Sequence, residues 1–453
     1  MKIRKLQLKN IGVFDDETIE FQPCPAKDKA EIHIFTGQNG SGKSTILMAL
    51  ANIFDVSHFQ EFEDKPNLAS QSLNLYRNDF YKRLRNCDCE ISFKVQDSQI
   101  EKTYRFHFFR NPWQFVYKNY LNFTDPIIKK LHHYAKTVNS KITVEKFSTD
   151  FAVFAVSGYR QIFSTRVEAI KESADFNPLW QSLDFVKDYS ETNQLTINQL
   201  IANNISKSAI EKGRNDEKSK KFANIIKSIE LVISEITGWK VEFELETEPT
   251  NLITKINGEE LDFDVLPDGL RSLISWIADL LGRVDLLKWQ DDLPIFEKNL
   301  ILLLDEIEVH LHPAWQRKVL PVVQKLFKNS QIFVSTHSPF VVNSVDDAWV
   351  YILELDGGKA KVVSVERSED ALSYRYVLRN TFGIENEFGI EIEKRLNDFY
   401  KERDAILAEN GNSKKAKAEL KKIAKELSKQ SKELKTKIDF ELFQLSEITG
   451  EDF

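Results

Sequence analysis

Gly37-Gln38-Asn39-Gly40-Ser41-Gly42-Lys43-Ser44 satisfies G-x-x-x-x-G-K-[ST] in full, and its flanks supply the context that pattern needs. Glu31 to Thr36 is a short, mostly apolar run that predicts a strand, and Thr45 to Ile53 predicts the start of a helix. Strand, glycine loop and helix together let backbone N–H groups curl around phosphate oxygens at a helix N-terminus. On that reading the nucleotide-contacting residues are Gly37, Asn39, Gly40, Ser41, Gly42, Lys43, Ser44 and Thr45. Lys43 brings positive charge to the β and γ phosphates, and the Ser44 hydroxyl is placed to ligate Mg²⁺. A glycine-rich turn before an ordinary helix would share the glycines but not the flanks or the downstream partner motif. The stretch implies a nucleoside triphosphate site.

The partner motif is Leu300-Ile301-Leu302-Leu303-Leu304-Asp305-Glu306, an apolar run ending in two carboxylates. Such a run suits a strand buried on both faces of a mostly parallel sheet. Asp305 at its end would hold Mg²⁺ through water, as the second acidic element of phosphate-loop enzymes does. Glu306 is placed to polarise an attacking water as general base, which argues for hydrolysis rather than binding alone. A third element follows. Gln331 to Ser335 predicts another strand, after which Thr336-His337-Ser338-Pro339 emerges. Between the two strands, Ala314 to Phe327 predicts an amphipathic helix, kinked or restarted at Pro321. The unit is then β–α–β, and His337 lies where ligands of open α/β sheets bind, within reach of the γ-phosphate or the attacking water.

These three elements together resemble the ATP-binding-cassette superfamily and, within it, the SMC, RecF and OLD branch. Met1 to Ile11 resembles the first strand of such heads, Asp305 to Pro313 their Walker B and D-loop, and Ser335 to Pro339 their switch histidine. The resemblance spans about residues 1–366, tightly at the motifs and loosely between them. It implies an α/β head with a mixed sheet and an antiparallel lobe, ATP with Mg²⁺ as cofactor, and ATPase activity. Val156-Ser157-Gly158-Tyr159-Arg160-Gln161 is similar to the segment carrying the family's lid glutamine, which gives Gln161 a role at Mg²⁺ and water.

The signature segment departs from the family. Leu266-Pro267-Asp268-Gly269-Leu270-Arg271-Ser272-Leu273 aligns with L-S-x-G, which in the family clamps the γ-phosphate of a second subunit. The resemblance therefore implies a dimer or higher oligomer of heads, with Asp268, Gly269 and Arg271 acting in trans. Pro267 replaces the serine and has no N–H, so the clamp rests on the Gly269 amide, the helix N-terminus and Arg271. Slow turnover or ATP sensing is as compatible with this segment as fast hydrolysis. His310 and His312 alternate as metal ligands on a strand would, but the D-loop reading accounts for them without a third ligand.

At 453 residues, with three cysteines and net charge −7, the chain fits one large α/β head plus a smaller appended region. The cysteine usage suits a reducing, cytoplasmic compartment, and no signal pattern or membrane-spanning apolar run is present. Within the head, 61–155 reads as the antiparallel lobe or an insertion on it, and 165–236 as a helical insertion. Asp216 to Thr237 carries apolar residues at helical spacing. The remainder, 367–453, predicts a C-terminal helical hairpin for docking or oligomerisation: Glu391 to Glu409, a turn at Asn410 to Ser413, then Lys414 to Ile448. Ser413 to Lys437 holds ten lysines against three glutamates, which is either a solvated face or a patch for nucleic acid or an acidic partner.

OLD-type relatives carry a Toprim nuclease after the switch histidine: an acidic strand end, then a D-x-D. Here Glu354 and Asp356 follow a strand, but no later D-x-D completes a metal site. The arrangement is similar to stand-alone ATPases of bacterial anti-phage systems, the Septu family first and the PARIS family next. The resemblance implies control of a separate nuclease, of HNH type in the first family and Toprim type in the second. The alternative is a RecF-like or SMC-like repair ATPase that acts on DNA directly.

Overall fold

Three runs of buried side chains fix the centre of the molecule. Glu31–Gly37, Leu300–Leu304 and Gln331–Ser335 are buried on both faces along almost their whole length, as the interior strands of a parallel sheet must be. The structure is a computed structural model that describes residues 1–24, 26, 28–54, 83–85, 88–110, 115–119, 124–138, 148–158, 177–179, 182–183, 197–247, 250–368, 373–384, 386–408 and 414–453. The chain forms two units, Met1–Val377 and Leu378–Phe453.

The first unit begins with β1 (Lys2–Ile11), β2 (Phe14–Glu20), β3 (Glu31–Gly37) and α1 (Lys43–Asn52), followed by β4 (Asp88–Asp97), β5 (Ile100–Arg110), β6 (Phe115–Asn119), α2 (Pro126–Val138) and β7 (Ala152–Val156). Next come α3 (Ile197–Glu211), α4 (Asp216–Thr237), β8 (Val241–Thr247), β9 (Thr250–Ile256), β10 (Glu259–Asp262) and α5 (Asp268–Leu286). It continues through β11 (Leu300–Leu304), α6 (Pro313–Leu326), β12 (Gln331–Ser335), α7 (Pro339–Val342), β13 (Trp349–Asp356) and β14 (Lys359–Arg367). Then α8 (Tyr374–Asn380) crosses into the second unit, which holds α9 (Ile390–Ala408), α10 (Lys414–Leu427) and α11 (Lys432–Thr449).

The main sheet has the order β14-β13-β3-β12-β11-β7. All neighbours are parallel except β14, which closes a hairpin on β13. The antiparallel lobe is β2-β1-β4-β5-β6, and β10-β9-β8 forms a small third sheet. β7, at the end of the segment expected in the lobe, instead pairs in parallel with β11. α4 begins where Asn215 accepts the Lys218 N–H and ends at Gly238, in left-handed geometry at φ +75°. α6 is one helix that contains Pro321, without a restart.

Lobe and main sheet meet through polar side chains. The Gln331 amide accepts the Ile3 N–H at 2.7 Å and donates to the Ile3 carbonyl at 2.8 Å, imitating a strand neighbour for β1. The same amide donates to Glu31, which takes a 2.6 Å bond from Arg4 and contacts buried His33 at 3.0 Å. Val13 accepts the Ala360 N–H, joining β14 to the start of β2.

In the second unit the expected hairpin is a three-helix cluster. The predicted single helix from Lys414 to Ile448 breaks after Leu427, and Ser431 restarts it by accepting the Leu434 N–H at 3.1 Å. Leu396, Phe399, Leu420, Ile423, Leu427, Leu434, Ile438 and Leu445 fill its interior. The predicted turn at Asn410 to Ser413 lies outside the described residues, as do 165–176 and 184–196 of the helical insertion.

Burial alone would raise the Glu31 carboxyl, but the His33 hydrogen bond and the Arg4 charge outweigh it and hold it at about 2, against an ordinary 4.5. Burial also keeps His33 neutral near pH 7, so Arg4 is the lasting charge partner. A depressed carboxyl stabilises the fold above its unfolded value and loses that contribution as pH falls through its folded one. Glu31→Gln should therefore cost ~2 kcal/mol at pH 7 in urea unfolding. The gap to wild type should close between pH 4.5 and 2; a gap that does not change with pH would count against this account.

Candidate nucleotide site

The strand order sets β3, β12, β11 and β7 side by side and in parallel, so four strand ends share one edge. The phosphate loop follows β3, His337 follows β12, Asp305 and Glu306 follow β11, and Gly158 follows β7. Two loop glycines are required by space as well as conformation. A Cβ at Gly37 would sit 2.1 Å from the Leu353 carbonyl oxygen, and one at Gly42 (φ +91°) would sit 2.6 Å from the Phe14 ring.

Lys43 is nearly buried, and its ammonium donates to the Gly37 and Gln38 carbonyls at 3.0 and 2.9 Å. Burial lowers it from 10.5 to about 8, partly opposed by Asp305, Glu306 and Glu308. Ser44 Oγ donates to Asp305 Oδ1 at 3.0 Å. Adjacent ligands of an octahedral Mg²⁺, each at about 2.1 Å, lie about 3 Å apart. A hydroxyl and a carboxylate at this separation therefore fit that ion's chemistry.

Ser335, the last residue of β12, ties the site together. Its hydroxyl donates to Asp305 Oδ1 and accepts the Glu306 N–H at 3.0 Å. Glu306 has φ +47°, left-handed geometry unusual for a side chain this size. Its side chain lies over Gly158, where a Cβ would come within 2.6 Å of Glu306 Cβ and 2.8 Å of its Oε2. Glu308 accepts the His337 N–H at 2.5 Å and so fixes the backbone at the switch position. Burial raises the Glu308 carboxyl, the His337 amide lowers it and Glu306 raises it further. Burial and the Lys43 charge lower His337, against Asp305, which leaves the imidazole neutral at pH 7.

The loop, Asp305, Glu306 and His337 thus converge as their motifs imply. Sequence reasoning missed Ser335, Glu308 and the steric role of Gly158; the E-x-E spacing of Glu306 and Glu308 was the available signal for one of them. Asp268, Gly269 and Arg271 open α5, where Pro267 supplies no side-chain cap. Gly269 packs on the D-loop-like turn of its own chain, 2.5 Å from the His310 carbonyl at the Cβ position, and Arg271 is engaged by Asp268 one turn away. His312 caps α6 by accepting the Ala314 N–H, and no cluster of three metal-ligating side chains occurs among the described residues. Gln161 lies outside them.

A phosphate loop, an acidic strand end and a histidine after the neighbouring strand, on one mostly parallel sheet, define a phosphate-loop ATPase with an added antiparallel lobe. The family model described as "AAA domain, putative AbiEii toxin, Type IV TA system" matches residues 32–343, and the chain belongs to that family. A second model, "AAA domain", matches residues 1–59. The Retron Vc95 probable ATPase of Vibrio cholerae serotype O1 biovar El Tor is 25% identical over 406 residues, 78% of this chain and 74% of that protein. The Retron Ec83 probable ATPase of Escherichia coli is 36% identical over 140 residues, 31% of this chain but only 25% of the relative. Septu protein PtuA of Bacillus thuringiensis is 26% identical over 124 residues, 24% of this chain and 31% of PtuA. The resemblance to Septu ATPases is thus borne out, and the likeness to retron ATPases is new. Among solved structures, an SMC head domain from Thermotoga maritima overlays with TM-score 0.41 at 14% identity, covering 82% of this chain and 100% of that one. At so distant an overlay, the fold assignment rests on strand order and motif placement. Among the described residues, no helix is long and apolar enough to cross a membrane.

Because Lys43 loses its charge as pH rises through about 8, ATP affinity should hold steady from pH 6.5 to 7.5 and weaken above 8. The slope should approach tenfold per pH unit in calorimetric titrations. Gly158→Ala should displace Glu306 and lower kcat at least tenfold with little change in ATP affinity. Equal losses in both would show that the contact shapes binding instead.

Proposed function

We propose that this chain is an ATP-hydrolysing regulatory subunit of a bacterial anti-phage complex that controls a separate nuclease. The observation that carries the enzymatic part is the convergence of Lys43, the Ser44–Asp305 pair, Glu306 and His337 at one sheet edge. The relatives named Septu and retron support the biological part.

In this reading the loop amides and Lys43 hold the triphosphate, and Ser44 and Asp305 hold Mg²⁺, which supplies charge neutralisation at the β and γ phosphates. Glu306 accepts a proton from a water that attacks the γ-phosphorus as the bond to the β–γ bridging oxygen breaks. Neutral His337 orients that water or the γ-phosphate, and the family resemblance assigns Gln161 a role at the same ion. Asp268, Gly269 and Arg271 come from a second copy and close the site. Pro267 offers that closure neither hydroxyl nor N–H, and Arg271 must trade Asp268 for phosphate, so turnover is slow.

Glu306→Gln should retain ATP and cut hydrolysis at least 100-fold, whereas Lys43→Ala should lose both. In co-expression with the genes beside its own, wild type should copurify with a nuclease whose cleavage changes with nucleotide state. Deletion of residues 378–453 should release that nuclease. A chain that copurifies with no nuclease and itself binds DNA ends only with ATP would replace this reading with a repair ATPase.

A further inference from the structure

α10 has two opposed faces of different chemistry. Ala416, Leu420, Ile423, Ala424 and Leu427 are buried in the three-helix cluster. At 100° per residue their opposite face carries Lys414, Lys415, Lys421, Lys422 and Lys425, and Lys429 follows in the turn. All six are exposed. Among the described residues, the ion pairs of this group are limited to Lys422 with Glu419; no carboxylate lies within ion-pair distance of the other five. The face spans about 17 Å of helix, and the residue between its charges is Ala418. The large exposed apolar side chains of α11, Phe440, Phe443 and Ile448, are not part of it.

We infer that this lysine face binds the phosphate backbone of nucleic acid without reading its sequence. Three features favour that partner over an acidic protein. The charges stand in a chain of net charge −7, so they are a local device and not a property of the whole surface. Five of the six lie along one helix over about 17 Å, a length that reaches several phosphates of a backbone. And the face itself is five lysines around Ala418, with one bordering aromatic, Phe453, already covered by Lys417 and Lys421 at 5.8 and 5.7 Å. Protein interfaces concentrate their binding energy on such anchors, whereas backbone binding needs only cations. The inference goes beyond the nucleotide site and does not depend on hydrolysis.

The test uses the full-length protein and a fluorescein-labelled 25-base-pair duplex of mixed sequence, with anisotropy measured from 50 to 300 mM KCl. Five phosphate contacts predict a slope of log K against log salt of about −4.5. Changing Lys414, Lys415, Lys421, Lys425 and Lys429 together to Gln should weaken binding at least tenfold at 100 mM KCl and flatten the slope toward zero. Changing the same five to Arg should preserve both. Thermal melting and ATPase rate, followed in parallel, should not change in either variant. Wild type without measurable duplex affinity at 50 mM KCl overturns the inference. So does a Gln variant with an unaltered slope, or one that keeps the duplex and loses a copurifying protein, which would make the face a protein dock.

Discussion

The parallel pairing of β12 with both β3 and β11 is the constraint on which the site depends. Each strand is buried on both faces, so its register is set by packing, and a slip of one residue would invert its side chains. Fixed register brings Ser335 level with the end of β11, where one hydroxyl serves Asp305 and the Glu306 amide together. The loop, the acidic pair and the histidine are held relative to one another by the sheet, by that hydroxyl, and by the Ser44–Asp305 and His337–Glu308 hydrogen bonds.

Rigid strands and strained turns divide the work at this edge. Glu306 takes a left-handed backbone immediately after β11, and His310 takes another four residues on, at φ +66°. Conformations of this kind cost roughly 1–3 kcal/mol each and persist where their surroundings over-determine them. Here the surroundings are Ser335 beneath the Glu306 amide, Gly158 against its side chain, and Gly269 against the His310 carbonyl. The strain therefore lies between the acidic strand end and the segment that begins α5.

The phosphate loop, Asp305, Glu306 and His337 were legible because each is a local string beside an apolar run, and a string needs no knowledge of register. The bounds of α4 were legible too, since its cap, its spacing and its terminal glycine all lie within one stretch of chain. Ser335, Glu308 and Gly158 were not. Their meaning comes from neighbours 29 residues away for Glu308 and His337, or on another strand, and only pairing reveals those. The break before α11 was missed for a different reason: the apolar spacing continues across it, while one serine cap decides where the backbone turns. Asp268 and Arg271 were both assigned to the trans clamp, and their ion pair with each other, one turn apart on α5, was not read from the sequence.

The antiparallel lobe is fastened to the main sheet at separate points: Ile3 to Gln331, Arg4 to Glu31, Lys2 to the Asn329 carbonyl, and Val13 to Ala360. A continuous ladder would resist sliding at every residue and would couple the length of one sheet to that of the other. Discrete fasteners do neither. β5 and β6 can lengthen, shorten or accept inserted chain without disturbing the seat of β1 on β12, whereas β4, which pairs with β1 and braces Arg4 through Gln96 at 2.6 Å, belongs to that seat. The outer strands β5 and β6 are thus a replaceable panel on a fixed frame, and changes in their length leave the geometry of the nucleotide-site edge untouched.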